Sequence, residues 1–223
     1  MADINELKRR CLAEIDARRE EIIALGEDVY KTPELGFKEF RTTARVAEAF
    51  RAYTGCKVST PEAEGPRVAV MGELDCIVCA EHPDCAPNGN IHACGHNVQL
   101  ANLFGSAVGI LKSGVMDQLS GGVDFIAIPS EECADFEYRD GLIDKGEIAF
   151  YGGKPEYLRR GGLDKVDMVL QCHMLEMTEK GKLCTVSTDT NGFIAKTVRF
   201  IGVGSHAGFA PSEGVNALNM AQL

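Results

Sequence analysis

The segment His92-Ala93-Cys94-Gly95-His96-Asn97 sets one thiol between two imidazoles, and Glu131-Glu132 and His173 follow it along the chain. Thiolate, imidazole and carboxylate together are ligands for a divalent metal ion. A carboxylate beside such an ion can take a proton from water whose pKa the ion has lowered. Metal-assisted proton transfer is thus the chemistry open to these residue types. Each residue alone also has an ordinary reading. A single cysteine such as Cys94 is commonly a small buried hydrophobe, and a histidine such as His173 a hydrogen-bonded structural residue. A pair such as Glu131-Glu132 is commonly solvated surface, its two side chains pointing to opposite sides of the backbone. A second thiol set competes for a metal. Cys76-x-x-Cys79 has metal-binding spacing, and with Cys85 and Cys94 it could form a structural zinc or iron–sulfur site, although Cys85 and Cys94 do not make a second close pair. Cys11 and Cys56 fall in or beside expected helices, as packing residues do.

Position separates these readings, and position depends on the elements that carry the residues. Leu7, Cys11, Ile15, Ile22, Ile23 and Leu25 recur among charges, which predicts one long amphipathic helix from Ile4 to about Tyr30. Pro33 breaks it, and a second helix is expected from Glu39 to Tyr53 with Gly55 as its stop. Arg67 to Leu74, Gly122 to Ile128 and Val166 to Cys172 are short apolar runs that read as strands. A Cys-, Pro- and Asn-rich loop from Asp75 to Asn97 and a buried helix from Val98 to Leu111 separate the first two strands. A further strand from Lys196 to Val203 and a helix from Val215 to Leu223 are expected after a break near residue 190. Short apolar strands alternating with helices imply an α/β sheet flanked by helices. The three strands end in Glu73-Leu74-Asp75, in Ser130-Glu131-Glu132 and in His173. Ligands of open α/β sheets gather beyond the carboxyl ends of the strands, so these groups can converge although they are distant in sequence.

The net charge of −10 argues against nucleic acid as a partner, because phosphate binding needs a basic surface. Nine cysteines with no secretory leader point to a reducing cytoplasm and thiols free to bind metal. No apolar run approaches the roughly 18 residues needed to span a membrane.

The motifs, in their order, resemble those of the metal-dependent aminoacylase and carboxypeptidase family of amidohydrolases, nearest its N-acyl amino acid, auxin-conjugate and aminobenzoyl-glutamate hydrolases. The residues that carry the likeness are Thr32-Pro33-Glu34-Leu35-Gly36-Phe37, Gly72-Glu73-Leu74-Asp75, His92-Ala93-Cys94-Gly95-His96-Asn97, Glu131-Glu132, His173 and Gly204-Ser205-His206-Ala207-Gly208-Phe209-Ala210-Pro211. The resemblance implies a zinc-exopeptidase-like catalytic domain with a mixed sheet over residues 1–190, followed by the beginning of an α+β lid and dimerisation domain over 191–223, both incomplete. It implies two divalent ions, zinc or manganese, with Cys94 as a bridging thiolate and His96, Glu132 and His173 as further ligands. Glu131 would be the general base that activates water and then protonates the leaving amine. Asp75 would orient a group of the metal site, and His92 would support it from behind. His206 would stabilise the oxyanion, supplied across a homodimer, and Asn216 would lie near the substrate carboxylate. The implied substrate is an N-acyl amino acid or small peptide, cleaved at its amide bond.

Three departures stand against this pattern. Asn97 occupies a position where many relatives have aspartate, the stretch from Cys76 to Ala80 differs, and a final histidine ligand expected after the lid does not follow His206. The last helix meets the chain end without a glycine stop, which suggests truncation. A catalytically incomplete metal- or partner-binding remnant, and a structural metal site on Cys76, Cys79 and Cys85, remain as alternatives.

Overall fold

A computed structural model describes residues 3–53, 65–175, 184, 186, 191, 192, 194, 196 and 198–222. The chain divides into two units, Met1–Glu176 and Met177–Leu223. The first begins with α1 (Ile4–Ala17) and α2 (Arg19–Tyr30), so the expected single helix is broken at Arg18, whose backbone leaves the helical region. The break has a packing cause further along the chain, in α4. After α3 (Phe40–Arg51) come β1 (Arg67–Glu73), β2 (Ile77–Val78) and β3 (Asn90–Ile91), and then α4 (His96–Lys112). Ala101, Gly105 and Gly109, four residues apart on α4, give a groove of small residues. Ile22 of α2 lies against Gly105, and Ile15 of α1 against Gly109. The two segments follow this groove by changing direction at Arg18.

The unit continues with β4 (Gly122–Ile128), α5 (Phe136–Asp144), α6 (Gly153–Arg159) and β5 (Met168–Gln171). The sheet order is β4-β1-β5, with β1 parallel to both neighbours. The expected α/β architecture is present, and the paired strands of this sheet are all parallel. Side chains alternate across it. Val70, Phe125 and Ala127 face the core built from Leu25, Val46, Tyr53, Leu100, Phe104 and Val108. Ala69, Met71, Ile126 and Ile128 face the opposite side, against Tyr157, Leu163 and Val166. β5 is shorter than expected and exposed along its length.

The segment before α3 owes its structure to Glu34. Its carboxylate accepts the backbone N–H groups of Arg41 and Thr42, satisfying donors that the first helical turn leaves without partners. The expected loop from Asp75 to Asn97 contains the β2–β3 hairpin pair, with Ile77 opposite Ile91. That pairing returns the chain from Asp75 to the start of the histidine motif.

The second unit carries an isolated antiparallel bridge between Val203 and Val215 and a helix, α7 (Ala217–Gln222). Its described residues before Val203 form no strand, against the expectation for Lys196 to Val203. Gly55 and Cys56 lie outside the described residues, as do residues 187–190, where the domain break was expected.

Candidate metal centre

Three strand ends and one helix start build the site. Glu73 closes β1, and Asp75, two residues on, shares its side of the extended backbone, while Leu74 turns into the core. Glu131 and Glu132 follow β4 through Ser130, a non-glycine residue at φ 56°. That geometry costs about 1–2 kcal/mol. It is held by the Glu39 carboxylate, which accepts the Ser130 N–H at 2.7 Å, and by a bond from the Ser130 hydroxyl to the Tyr151 carbonyl at 3.1 Å. His173 follows β5. His96 opens α4 directly after Gly95, whose φ of 89° lets the backbone turn into the helix.

Asp75 ties two of these segments together. It is fully buried, and its Oδ2 accepts the Glu132 N–H at 2.9 Å. Its backbone carbonyl lies 2.8 Å from His96 Nδ1. With the Nδ1 proton donated there, the His96 lone pair sits on Nε2. That nitrogen lies 3.0 Å from Glu73 Oε2 and 3.8 Å from Glu132 Oε1. His96 Nε2, Glu73 Oε2, Glu132 Oε1 and Asp75 Oδ1 are all buried without a hydrogen-bond partner. Such groups are costly to bury unpaired. Glu73 and Glu132 converge on Nε2, an arrangement that a metal cation would satisfy, while Asp75 Oδ1 lies 3.5 Å from Nδ1 on the other side of the ring.

Two sets of donor atoms lie within 4.8 Å of one another, and His96 belongs to both: Cys94 with His96 and His173, and Glu73 with His96 and Glu131. Cys94 Sγ is 3.4 Å from His173 Nε2, while His173 Nδ1 lies 2.8 Å from the Met174 carbonyl. The structure therefore brings Asp75, Cys94, His96, Glu131, Glu132 and His173 to one place. It adds Glu73, a strand-end residue to which the sequence patterns assign no role. The signal was its two-residue spacing from Asp75. Lys154, on α6, was not foreseen at all. Its ammonium pairs with Glu73 and stands 3.6 Å from Glu131 Oε1.

Electrostatics follow from this crowding. Burial would raise the Glu73 carboxyl, but His96 and Lys154 outweigh it and hold it at about 2. Burial would lower His96, but Asp75 and Glu73 raise it to about 10. Burial, then Glu132, Glu131 and Glu73, push the Cys94 thiol up to about 12. Glu131 is raised by burial and by Glu73, against the pull of Lys154. His92 is buried with both ring nitrogens unpartnered, and burial followed by the His96 charge lowers it to about 4.

The other thiols are arranged differently. Cys76 is buried, and burial followed by Asp75 pushes it up to about 12. Cys85 Sγ faces the Ala80 carbonyl at 3.4 Å. Among the described residues, Cys76, Cys79 and Cys85 belong to neither donor group. In the second unit, His206 Nδ1 accepts the N–H groups of Gly208 and Phe209, which leaves the ring proton on Nε2. Asn216 Oδ1 accepts from Leu218 N and Asn219 N at the start of α7. Helix capping accounts for that carbonyl.

No family model matches the chain. It is 26% identical over 220 residues to an N-acyl-L-amino acid amidohydrolase of Geobacillus stearothermophilus, covering 92% of this chain and 54% of that protein. It is 27% identical over 225 residues to an N-acetyl-L-cysteine deacetylase of Bacillus subtilis, covering 90% of this chain and 49% of that one. The chain thus spans about half the length of the curated relatives it matches. A Bacillus subtilis structure described as a dinuclear metal-binding peptidase of the M20 family shares the fold, with a TM-score of 0.52, 23% identity and coverage of 69% of this chain and 42% of that one. Taken with the order of the motifs, these relatives fit the resemblance to the metal-dependent aminoacylase and carboxypeptidase-type amidohydrolases, and the structural neighbour shares the α/β fold.

Proposed function

We propose that the chain carries most of the catalytic centre of a metal-dependent hydrolase that cleaves the amide bond of N-acyl amino acids or small peptides. One observation carries this reading: buried carboxylate oxygens of Glu73 and Glu132 lie 3.0 and 3.8 Å from the buried His96 Nε2. Cys94, His96 and His173 would hold one ion, with Glu132 beside them, and a second ion would share part of this set. Sulfur and nitrogen donors favour zinc, while the carboxylates also suit manganese. When bound, the ions supply Lewis acidity toward the amide carbonyl and toward water.

The chain's own residues supply the proton chemistry. Glu131 takes the proton from the attacking water and passes it to the leaving amine nitrogen. Burial, then crowding by Glu73, raises its proton affinity, which suits a group that must both accept and return a proton. Asp75 fixes His96 through its carbonyl and Glu132 through its carboxylate, so both donors stay aimed at one point. His206, with its proton on Nε2, is prepared to donate to a developing oxyanion. The lid assignment of residues 191–223 and a homodimer that brings His206 to the site belong to the same proposal. Exposed Val203, Phe209, Val215 and Leu218 in that unit support a face covered by a second copy.

The test uses purified protein containing this chain, supplied with zinc or manganese and assayed on N-acyl amino acids, aryl-glutamates and dipeptides. Turnover of at least one class is expected. Glu131→Gln should lower kcat by about 10²–10⁴ while retaining bound metal. Absence of turnover on every class with metal bound would sink the reading, and an active Glu131→Gln variant would remove Glu131 from its role.

A further inference from the structure

Lys154 stands where the proposed centre has least use for a cation of its own. It sits in the first turn of α6, and backbone contacts fix that turn against the segment bearing Glu131. The Gly153 N–H donates to the Ser130 carbonyl at 2.8 Å, and a Cβ on Gly153 would lie 1.7 Å from the Pro129 carbonyl oxygen, so the two segments touch without room for a side chain. From there the ammonium reaches Glu73 Oε1 and lies 3.6 Å from Glu131 Oε1. Gln171 Nε2 donates to the same Glu73 oxygen at 2.6 Å. Glu73 and Glu131 are the two carboxylates of the second donor group, the one completed by His96. The positive charge of Lys154 is therefore seated on the oxygens that a divalent ion would need there. The carboxylate beside His96 of the first group is Glu132, whose backbone N–H, not its carboxylate, is bound to Asp75.

We propose that Lys154 is an internal counter-cation that occupies the Glu73–Glu131 side of the centre and directs divalent metal to the Cys94–His96–His173 side. The inference rests on the metal-binding reading above and deepens it. Lys154 and a divalent ion exclude one another at Glu73 and Glu131, because two cations cannot share those oxygens without strong repulsion. While it is seated, Lys154 also shares with His96 the compensation of Glu73, a like charge beside Glu131. It is a positioning residue: it acts on the ion and on Glu131 through the carboxylates it holds.

Equilibrium dialysis of the chain against zinc or manganese, with metal counted per chain, tests this. The unaltered chain should bind its first ion tightly and its second weakly, and Lys154→Gln should bind the second about tenfold more tightly than the unaltered chain does. Lys154→Arg, which keeps the charge, should behave like the unaltered chain. A merely structural lysine would weaken metal binding when replaced, so a gain in affinity separates the two roles. Unchanged or weakened binding of the further ion in folded Lys154→Gln overturns the inference and leaves the metal reading intact. Absence of any metal binding, in either form, overturns both. A second measurement needs no variant. Acetylation of Lys154 in the unaltered chain should accelerate as metal is raised to excess, relative to exposed Lys31, as the ion displaces the ammonium. A constant ratio overturns the inference.

Discussion

His96 Nε2 and Glu73 Oε2 face each other at 3.0 Å, both side chains almost fully buried. A lone pair and a carboxylate oxygen repel at that distance unless a proton or a metal ion lies between them. His96 rises to about 10 because Asp75 and Glu73 outweigh its burial, and Cys94 rises to about 12 chiefly through burial, then through Glu132, Glu131 and Glu73. For His96, whose ordinary value is 6.5, the sign is clear. Its proton contributes stability that is fully present below 6.5 and is lost as pH rises through 10. A metal ion must displace both protons before it can bind. Titration calorimetry of zinc at pH 7, in buffers of different ionisation enthalpy, should therefore report release of about two protons per ion and an affinity that rises with pH. Zero proton release would mean that neither residue is a ligand.

The two thiol readings make opposite claims about metal content. Cys94 lies 3.4 Å from His173 Nε2 in a donor group, whereas Cys76 is buried as a neutral thiol and belongs to none. Cys94→Ser should lower bound zinc about tenfold or more, and Cys76→Ser should leave it unchanged. Elemental analysis of the folded variants decides the matter. Metal lost from Cys76→Ser but kept by Cys94→Ser would restore the structural-site alternative.

Much of this arrangement was legible in the residues, for definable reasons. β1 and β4 announced themselves as apolar runs, and their polar ends marked Asp75, Glu131 and Glu132. The bend at Arg18 was not legible, because its cause is a groove of small residues on α4, some ninety positions away, and a helical periodicity reads only its own neighbours. Glu73 was visible as a strand-end residue, but its role depends on His96 and Lys154, which reach it from other elements. Lys154 carried no pattern of its own. A lone lysine after two glycines reads as surface, and only the contact of α6 with the Ser130 turn places its charge in the site. The expected strand before Val203 failed on described residues that form one isolated bridge, where apolar alternation found no strand partner.

Glu39 links the stability of the fold to pH. Its carboxylate holds the strained Ser130 turn, is almost fully buried, and rises from an ordinary 4.5 to about 7, chiefly through burial. Between those values the folded chain binds a proton that the unfolded chain does not. The contribution is therefore complete below pH 4.5 and is lost as pH rises through 7, a change on the order of 3 kcal/mol. Glu39→Gln keeps an acceptor for the Ser130 N–H and removes the titration. Urea unfolding in chelator at pH 5 and pH 8 should show the variant gaining on the parent as pH rises. An identical pH profile for the two would show that Glu39 does not titrate in this way.

Gly95 joins the thiol to the helix that presents His96, and its replacement tests whether that junction tolerates a side chain. At φ 89° an L residue is strained, and a Cβ there would lie 2.7 Å from Met174 Cγ and 2.9 Å from Met174 Cβ. Met174 follows His173 and accepts its Nδ1 at the backbone carbonyl, so pushing Met174 aside shifts the imidazole that faces Cys94. Gly95→Ala should cost about 1–2 kcal/mol of stability from the backbone alone. It should also weaken zinc binding by more than that loss accounts for, because Cys94, His96 and His173 would no longer converge. Comparing the two effects separates strain from misplacement. If stability falls while zinc affinity holds, Met174 has moved without carrying His173 with it, and the Cys94–His173 pairing does not depend on that contact.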